Sequence, residues 1–325
     1  MRLFLFVIIG LWLAPLLIVA VVAFKLRLKR ATDAGITGSA HKPLDHRLIL
    51  HTSGKRPDEA TARLAPHLPM YSPFIAWAFG SIGLASRWSG YAFAWTTFPP
   101  ALPSTLFSMV PHRTHFLDRC LTQATRADTK IRQVVLLGAG WDTRAWGLLA
   151  DTDVRVFEVD TPTSQEVKKR AVQAAGLDMD RVVFVATDFV EKTWLEALVG
   201  AGFDPKLPSF FLLEGLVYYL CDADVEATLR DISSTAPGSM LAFDYLSLEL
   251  INKQAPHAEL GSKLHEDVGK NYPNEPLLSG ISTTHPAREG VAAFLSEMGL
   301  ELTDFEPFGP EEEAFGGLVY ARNPG

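Results

Sequence analysis

Five short apolar runs punctuate the chain from its middle third onward, near residues 133–138, 154–159, 182–186, 209–214 and 239–244. Runs of this length, apolar at nearly every position and rich in Val, Leu and Phe, predict strands buried on both faces. Stretches with helical spacing of apolar residues lie between them, so the pattern predicts a parallel sheet covered by helices on both sides. A long insertion follows from Leu246 to about Pro286, with Pro, Gly, Asn and His mixed in; segments of that length are functional or carry short helices of their own. Residues 288–298 then read as a helix stopped at Gly299, and 302–308 with 317–321 as a closing antiparallel hairpin.

The N-terminus has a different pattern. From Leu3 to Phe24 the chain is apolar for twenty-two residues without a charge, enough to span about 30 Å of hydrocarbon as a helix. The run is too long for a signal-peptide core, has only Arg2 before it, and lacks a small-x-small cleavage site before Lys25. Pro15 kinks such a helix without excluding it. The flank Lys25, Arg27, Lys29 and Arg30 is basic, so the positive-inside rule places the globular part of the chain on the cytoplasmic side of a single-pass membrane anchor.

Between this anchor and the sheet, residues 31 to about 59 are polar and loop-like, and 69–110 are rich in aromatics and glycine. A cluster holding Trp77, Phe79, Trp88, Tyr91 and Trp95 suits an apolar lid over a pocket, an extra core layer, or a membrane interface. The division expected is an anchor with basic flank at 1–30, a linker and cap at 31–110, and a catalytic domain at 111–325.

Chemistry enters at the end of the first strand run, which continues Gly-Ala-Gly-Trp-Asp-Thr-Arg toward a helix, while the second ends acidic at Asp160, twenty-two residues past Gly138. Glycines let the backbone approach a ligand, and a strand-end carboxylate accepts both hydroxyls of a ribose. Glu158 shares the strand face of Asp160 and is an alternative ribose ligand. A dinucleotide fingerprint needs a third small residue where Thr143 stands, and Asp142 puts a negative charge where a pyrophosphate would lie. An adenosine cofactor without phosphates fits better, and S-adenosylmethionine is the common one.

Five segments carry a resemblance: His-Arg-Thr-His-Phe-Leu-Asp at 112–118, Gly-Ala-Gly-Trp-Asp-Thr-Arg-Ala-Trp at 138–146, Phe-Glu-Val-Asp-Thr-Pro at 157–162, Thr-Asp-Phe at 187–189, and Leu-Glu-Gly-Leu-Val-Tyr-Tyr-Leu at 213–220. In order and spacing, from about residue 110 to the end, the chain resembles the leucine carboxyl methyltransferase-like family of S-adenosylmethionine-dependent methyltransferases. The resemblance implies an α/β, Rossmann-like methyltransferase fold with a mostly parallel seven-stranded sheet, here joined to the N-terminal transmembrane helix. It also implies that Arg113 holds the carboxylate of the cofactor's methionine end, with the Gly138 and Gly140 backbone against that end. Asp160 would hold the ribose hydroxyls, Asp188 with the backbone of Phe189 the adenine edge, and Glu214 the amino or methionine portion. A guanidinium is a natural bidentate partner of a carboxylate. Read as residues alone, Arg113 and Asp118 also suit the solvated face of an amphipathic helix, and Asp188 a helix N-cap.

Composition narrows the partners. A chain of 325 residues with 48% apolar content builds a full core, and a net charge of −7 with no basic stripe on the globular part argues against nucleic acid. The two cysteines and nine histidines offer no metal-ligand spacing. The methyl acceptor expected is a small or lipophilic molecule, methylated on oxygen, carboxylate ahead of hydroxyl, since no base with an orienting partner stands out and no catalytic residue is named. The rivals are a non-catalytic cofactor-binding membrane module and, opposed by Thr143 and Asp142, a nicotinamide-dependent oxidoreductase.

Overall fold

A computed structural model describes residues 1–126, 129–187, 194–282 and 286–325. The strands are β1 (Gln133–Leu137), β2 (Arg155–Asp160), β3 (Val182–Ala186), β4 (Ser209–Leu213), β5 (Met240–Leu246), β6 (Glu301–Phe308) and β7 (Gly316–Arg322). They form one sheet in the order β3-β2-β1-β4-β5-β7-β6. The first five run parallel, while β7 is antiparallel to both β5 and β6. The expected strands and closing hairpin are therefore all present, and the order reverses between β1 and β4, where such sheets open a crevice at their carboxyl ends.

The helices are α1 (Arg2–Asp33), α2 (His41–Ser53), α3 (Glu59–Leu64), α4 (Pro73–Ser89), α5 (Met109–Ala124), α6 (Pro162–Ala174), α7 (Trp194–Gly200), α8 (Asp222–Ser233), α9 (Leu248–Ile251), α10 (Ala258–Asn271) and α11 (Ala287–Glu297). Alternation along each strand divides the core in two. Val134, Leu136, Phe210 and Leu212 face α5 and the segment after β5, which holds Leu250 and Val268. Val135, Leu137, Phe211 and Leu213 face α7, α8 and α11. The long insertion after β5 carries α9 and α10, as a segment of that length requires.

A third apolar cluster joins the N-terminal helices to the body: Phe24 and Leu28 of α1, Leu44 and Leu48 of α2, and Ile75 of α4 pack with Trp141 and with Val172 of α6. Residues 31–59, expected as a loop, thus contain a regular helix, α2, ended by Gly54 in the left-handed region at φ 74°. Its polar residues Asp45, His46 and Arg47 are buried along with Leu44, Leu48 and Leu50, so no outward polar face reveals the helix by periodicity. In α4, Ser72 accepts the Ile75 N–H as N-cap and Pro73 takes the first helical position. Helix α4 then lies antiparallel to α1: Phe24 meets Tyr71 and Phe79 at 5.3 and 5.2 Å between ring centroids, and Phe6 meets Tyr91 and Phe93 at 5.3 and 5.6 Å.

His46 fastens α2 to α5. Its Nδ1 lies 3.3 Å from Thr114 Oγ1 and its ring packs edge-on against Trp95. Burial, with the nearby Arg47 and Arg56 charges, pushes its pKa down to about 3. The unfolded chain takes up a proton near pH 6.5 that the folded state cannot, so the stabilisation from neutral His46 is complete above that pH and lost as pH falls. Between pH 7.5 and 5.5 the wild type should lose about 1.4 kcal/mol more unfolding free energy than His46→Gln, measured by urea denaturation. Parallel losses in both proteins would mean that His46 is protonated in the fold.

Candidate active site

Strand β1 ends at Leu137 and the chain turns through Gly138 and Gly140, both at positive φ (63° and 43°). A Cβ on Gly138 would stand 2.9 Å from Leu216 Cδ1, and one on Gly140 would stand 3.1 Å from Ala40 Cβ, just before α2. Positive φ favours glycine at both, and a Cβ at either would push on a neighbouring side chain. The expected helix does not follow: residues 141–152 form turns, interrupted at Asp142 and Thr143, before β2 begins. Asp160 lies at the β2 tip, across from the turn, where Oδ2 accepts the Gly140 N–H at 2.6 Å and Oδ1 the Thr161 N–H at 2.7 Å. Burial raises its pKa against the pull of those two bonds. Glu158, two residues earlier, is ion-paired to Lys168 Nζ at 2.6 Å and fully enclosed. Burial pushes it up to about 7 against the pull of Lys168.

Beside the glycine turn lies a buried network of charges. Glu214 follows β4, and its Oε2 accepts from Arg47 Nη2 at 2.5 Å and Arg144 Nη1 at 2.6 Å, while Arg113 Nε lies 3.3 Å from Oε1. Arg113 Nη1 donates to Asp244 Oδ2 and to Tyr218 Oη, each at 2.9 Å. Arg144 also pairs with Asp142 and, through Nε, with Asp118 at 2.7 Å. Arg56 joins Asp118 to Asp58 at 2.6 and 2.5 Å. Four arginines and five carboxylates thus connect α2, the loop before α3, α5, the glycine turn and the tips of β4 and β5.

A cavity of about 40 Å³ remains between the turn, Ala40 and Pro43 of the N-terminal segment, and Arg47, Asp142 and Glu214. Ligand pockets run to roughly 300–1,000 Å³, so α2 and the residue before it cover the turn closely. This cover is latched to the other side of the crevice: Gly38 N–H and Ser39 Oγ donate to Glu275 at 2.5 Å each, and His41 Nε2 meets Tyr272 Oη at 2.9 Å.

A model of the Leucine carboxyl methyltransferase family matches residues 97–233. Proteins named "putative S-adenosyl-L-methionine-dependent methyltransferase" are similar to this chain in several bacteria. The Streptomyces coelicolor protein is 34% identical over 229 residues, which are 65% of this chain and 78% of the relative. The Streptomyces avermitilis protein is 36% identical over 190 residues (56% and 65%) and the Mycobacterium marinum protein 38% over 157 (47% and 48%). The chain therefore spans about half to three quarters of these relatives. Among solved structures, a duf574 family protein from Streptomyces avermitilis is 19% identical, with a TM-score of 0.49, over 82% of this chain and 99% of that one. This chain belongs to the leucine carboxyl methyltransferase-like family of S-adenosylmethionine-dependent methyltransferases.

The cofactor of this methyltransferase is S-adenosylmethionine, and the residues at the turn fit it. The turn is a cradle that a Cβ would fill, Asp160 keeps lone pairs beyond the two it spends on N–H groups, and Arg47 Nε and Arg144 Nη2 are buried without a hydrogen-bond partner among the described residues. Of the expected site residues, Gly138, Gly140, Asp160, Arg113 and Glu214 converge on one crevice. Asp188 and Phe189 lie outside the described residues. Arg113 and Asp118, which also suited a solvated helix face, are both buried in the network. Arg47 and Arg144 were not singled out from the sequence, since a lone arginine in a polar stretch or after a glycine turn has no pattern to mark it.

Arg144 is fully buried and serves three carboxylates, so Arg144→Met should lower unfolding free energy by about 3–5 kcal/mol, the range for orphaned buried charge. Arg170→Ala, which breaks an exposed pair with Glu166, should change it by less than about 1 kcal/mol. Equal effects in urea denaturation would show that the network contributes no more than a surface pair.

Proposed function

We propose that this methyltransferase transfers a methyl group from S-adenosylmethionine to an oxygen of a small or lipophilic acceptor, a carboxylate ahead of a hydroxyl. The supporting observation is that the acidic groups lining the cavity are poor bases. Burial pushes Glu214 up, but Arg144, Arg47 and Arg113 outweigh it and hold the carboxylate below its usual range. Asp142 is held low in the same way by Arg144 and Arg47. Tyr218, raised by burial and by Asp244, keeps its proton. His41 and Asp45 form a pair 2.7 Å apart on α2, but the ring's other nitrogen faces Tyr272 and neither residue lines the cavity. A hydroxyl acceptor needs a group that takes a proton near neutral pH, and a carboxylate acceptor arrives without one.

In this reading the Gly138 and Gly140 backbone lies against the methionine end of the cofactor, Arg113 serves its carboxylate, Glu214 its amino group and Asp160 the ribose hydroxyls. Asp188 and the Phe189 backbone take the adenine edge. Bound there, the cofactor supplies an electrophilic methyl on sulfonium. The protein's part is to hold acceptor and methyl in line and to keep water out, which the cover formed by residues 38–47 suits. Residues 31–110 act as a cap on the domain at 111–325, and residues 1–30 attach it to a membrane on the cytoplasmic side, as the basic flank supports. Membrane attachment favours an acceptor that partitions into lipid.

Calorimetric titration of the detergent-solubilised full chain should show binding of S-adenosylmethionine and none of NADH. Asp160→Ala should weaken the former by on the order of 1–3 kcal/mol, the size of hydrogen bonds to a charged group. Unchanged affinity in that variant would remove Asp160 from the ribose site.

A further inference from the structure

Helix α1 is long and apolar enough to cross a membrane, the one such helix among the described residues. Yet it does not project from the body. A single stripe, Phe6, Leu13, Leu17, Ala20, Phe24 and Leu28, recurs every three, four or seven residues and turns inward, partly or fully buried. The rest of its surface, including Leu3, Leu11, Val19 and Leu26, is exposed, and Trp12 is 82% exposed.

The body meets this stripe at both ends. At the N-terminal end Phe6 packs on Tyr91 and Phe93, in a loop that reaches back to α2 through Trp95 and His46. At the other end Arg27 Nη1 donates to Tyr71 O at 2.8 Å, and Asn274 reaches Thr32 O. Phe6 and Phe24 are eighteen positions apart, roughly 27 Å of helix, close to the thickness of the hydrocarbon layer. Were α1 perpendicular to the bilayer, the body between those contacts would lie at hydrocarbon depth. Phe6, at the edge of that depth, holds Tyr91 and Phe93, which begin the irregular segment 91–108 with Leu102 and Phe107 exposed, and lipid-facing irregular backbone is not tolerated in hydrocarbon.

We infer that α1 lies in the plane of the membrane, immersed by its outer face in one leaflet, and does not cross it. The inference rests on the membrane attachment proposed above and fixes its geometry. The protein body takes the place of the polar face that an interfacial helix ordinarily presents to water. The exposed aromatics of α4, Phe74, Trp77 and Trp88, extend the immersed surface beyond α1. The charges match this placement: Arg2 at one end and Lys25, Lys29 and Arg30 at the other are exposed and suit anionic headgroups at the same level. The membrane layer, α1 with α4, is thereby one helix away from the cofactor turn, because α4 packs through Gly80 and Gly83 on α2, whose preceding residue covers Gly140.

The test uses the full chain on vesicles of phosphatidylcholine with phosphatidylserine, in a Cys221→Ser background, because Cys221 is exposed and Cys120 is buried. Single cysteines at Arg2→Cys, Trp12→Cys and Lys29→Cys are labelled with a membrane-impermeant maleimide added outside. With the protein added to preformed vesicles, Arg2→Cys and Lys29→Cys should both label from outside, while Trp12→Cys should be shielded by lipid. Lys29→Gln should weaken partition onto these vesicles about fivefold. If Arg2→Cys becomes reactive only after the vesicles are opened, α1 crosses the bilayer; the in-plane geometry is then wrong and membrane attachment stands. If the chain does not float with vesicles at all, the attachment itself is wrong, and sedimentation of the free protein would show whether a second copy covers α1.

Discussion

The buried ion network around Glu214 is the constraint on which the remaining structure depends. Taking one guanidinium or carboxylate out of water costs several kcal/mol, and a pair recovers that only when its geometry and remaining hydrogen bonds are good. Here no pair is isolated. Glu214 meets Arg47, Arg113 and Arg144, and those three arginines reach Asp142, Asp118 and Asp244 in turn. Arg47, from α2, is therefore as necessary to the sheet tips as they are to it. The N-terminal helices and the sheet cannot separate without leaving charge stranded, and the apolar cluster that α1, α2 and α4 share with Trp141 and α6 joins them as well.

The same constraint shapes the crevice. Holding Glu214 and Asp142 ionised and fully engaged leaves these two carboxylates poor bases, which suits chemistry that needs placement more than acid or base. It also brings α2 so close to Gly140 that only a small cavity remains. A cofactor with a nucleoside and an amino-acid tail requires the first turn of α2 and the preceding residues to give way. The bonds holding that segment, from Gly38, Ser39 and His41 to Glu275 and Tyr272, are few and lie at its edge, whereas Arg47 lies deep at the far end of the turn.

Helix α1 extends the same logic outward. It is the outermost layer of a stack, α1 on α4, α4 on α2, and α2 on the glycine turn, which in the proposed geometry would run from membrane to cofactor. Small residues set the spacing, with Gly80 and Gly83 letting α4 approach Thr52 and Ile49 of α2.

The sequence by itself determined the strands, the glycine turn, the acidic strand end at Asp160 and the apolar N-terminus. Each of these is written in local periodicity or in a few adjacent residues, and the physics that forms them acts over the same short range. It did not reveal α2, because a helix buried on all sides loses the polar face that marks its period. It named Arg113 and Glu214 only through their place in a family pattern, without their partners, and passed over Arg47, which pairs with groups 95 and 167 positions away. It marked α1 as long enough to cross a membrane but did not show that the body packs along it, which depends on Tyr71, Tyr91 and Phe93 arriving beside it. Only the tertiary structure decided these points, because burial of a charge and the orientation of a helix are fixed by neighbours that the chain brings together from far apart.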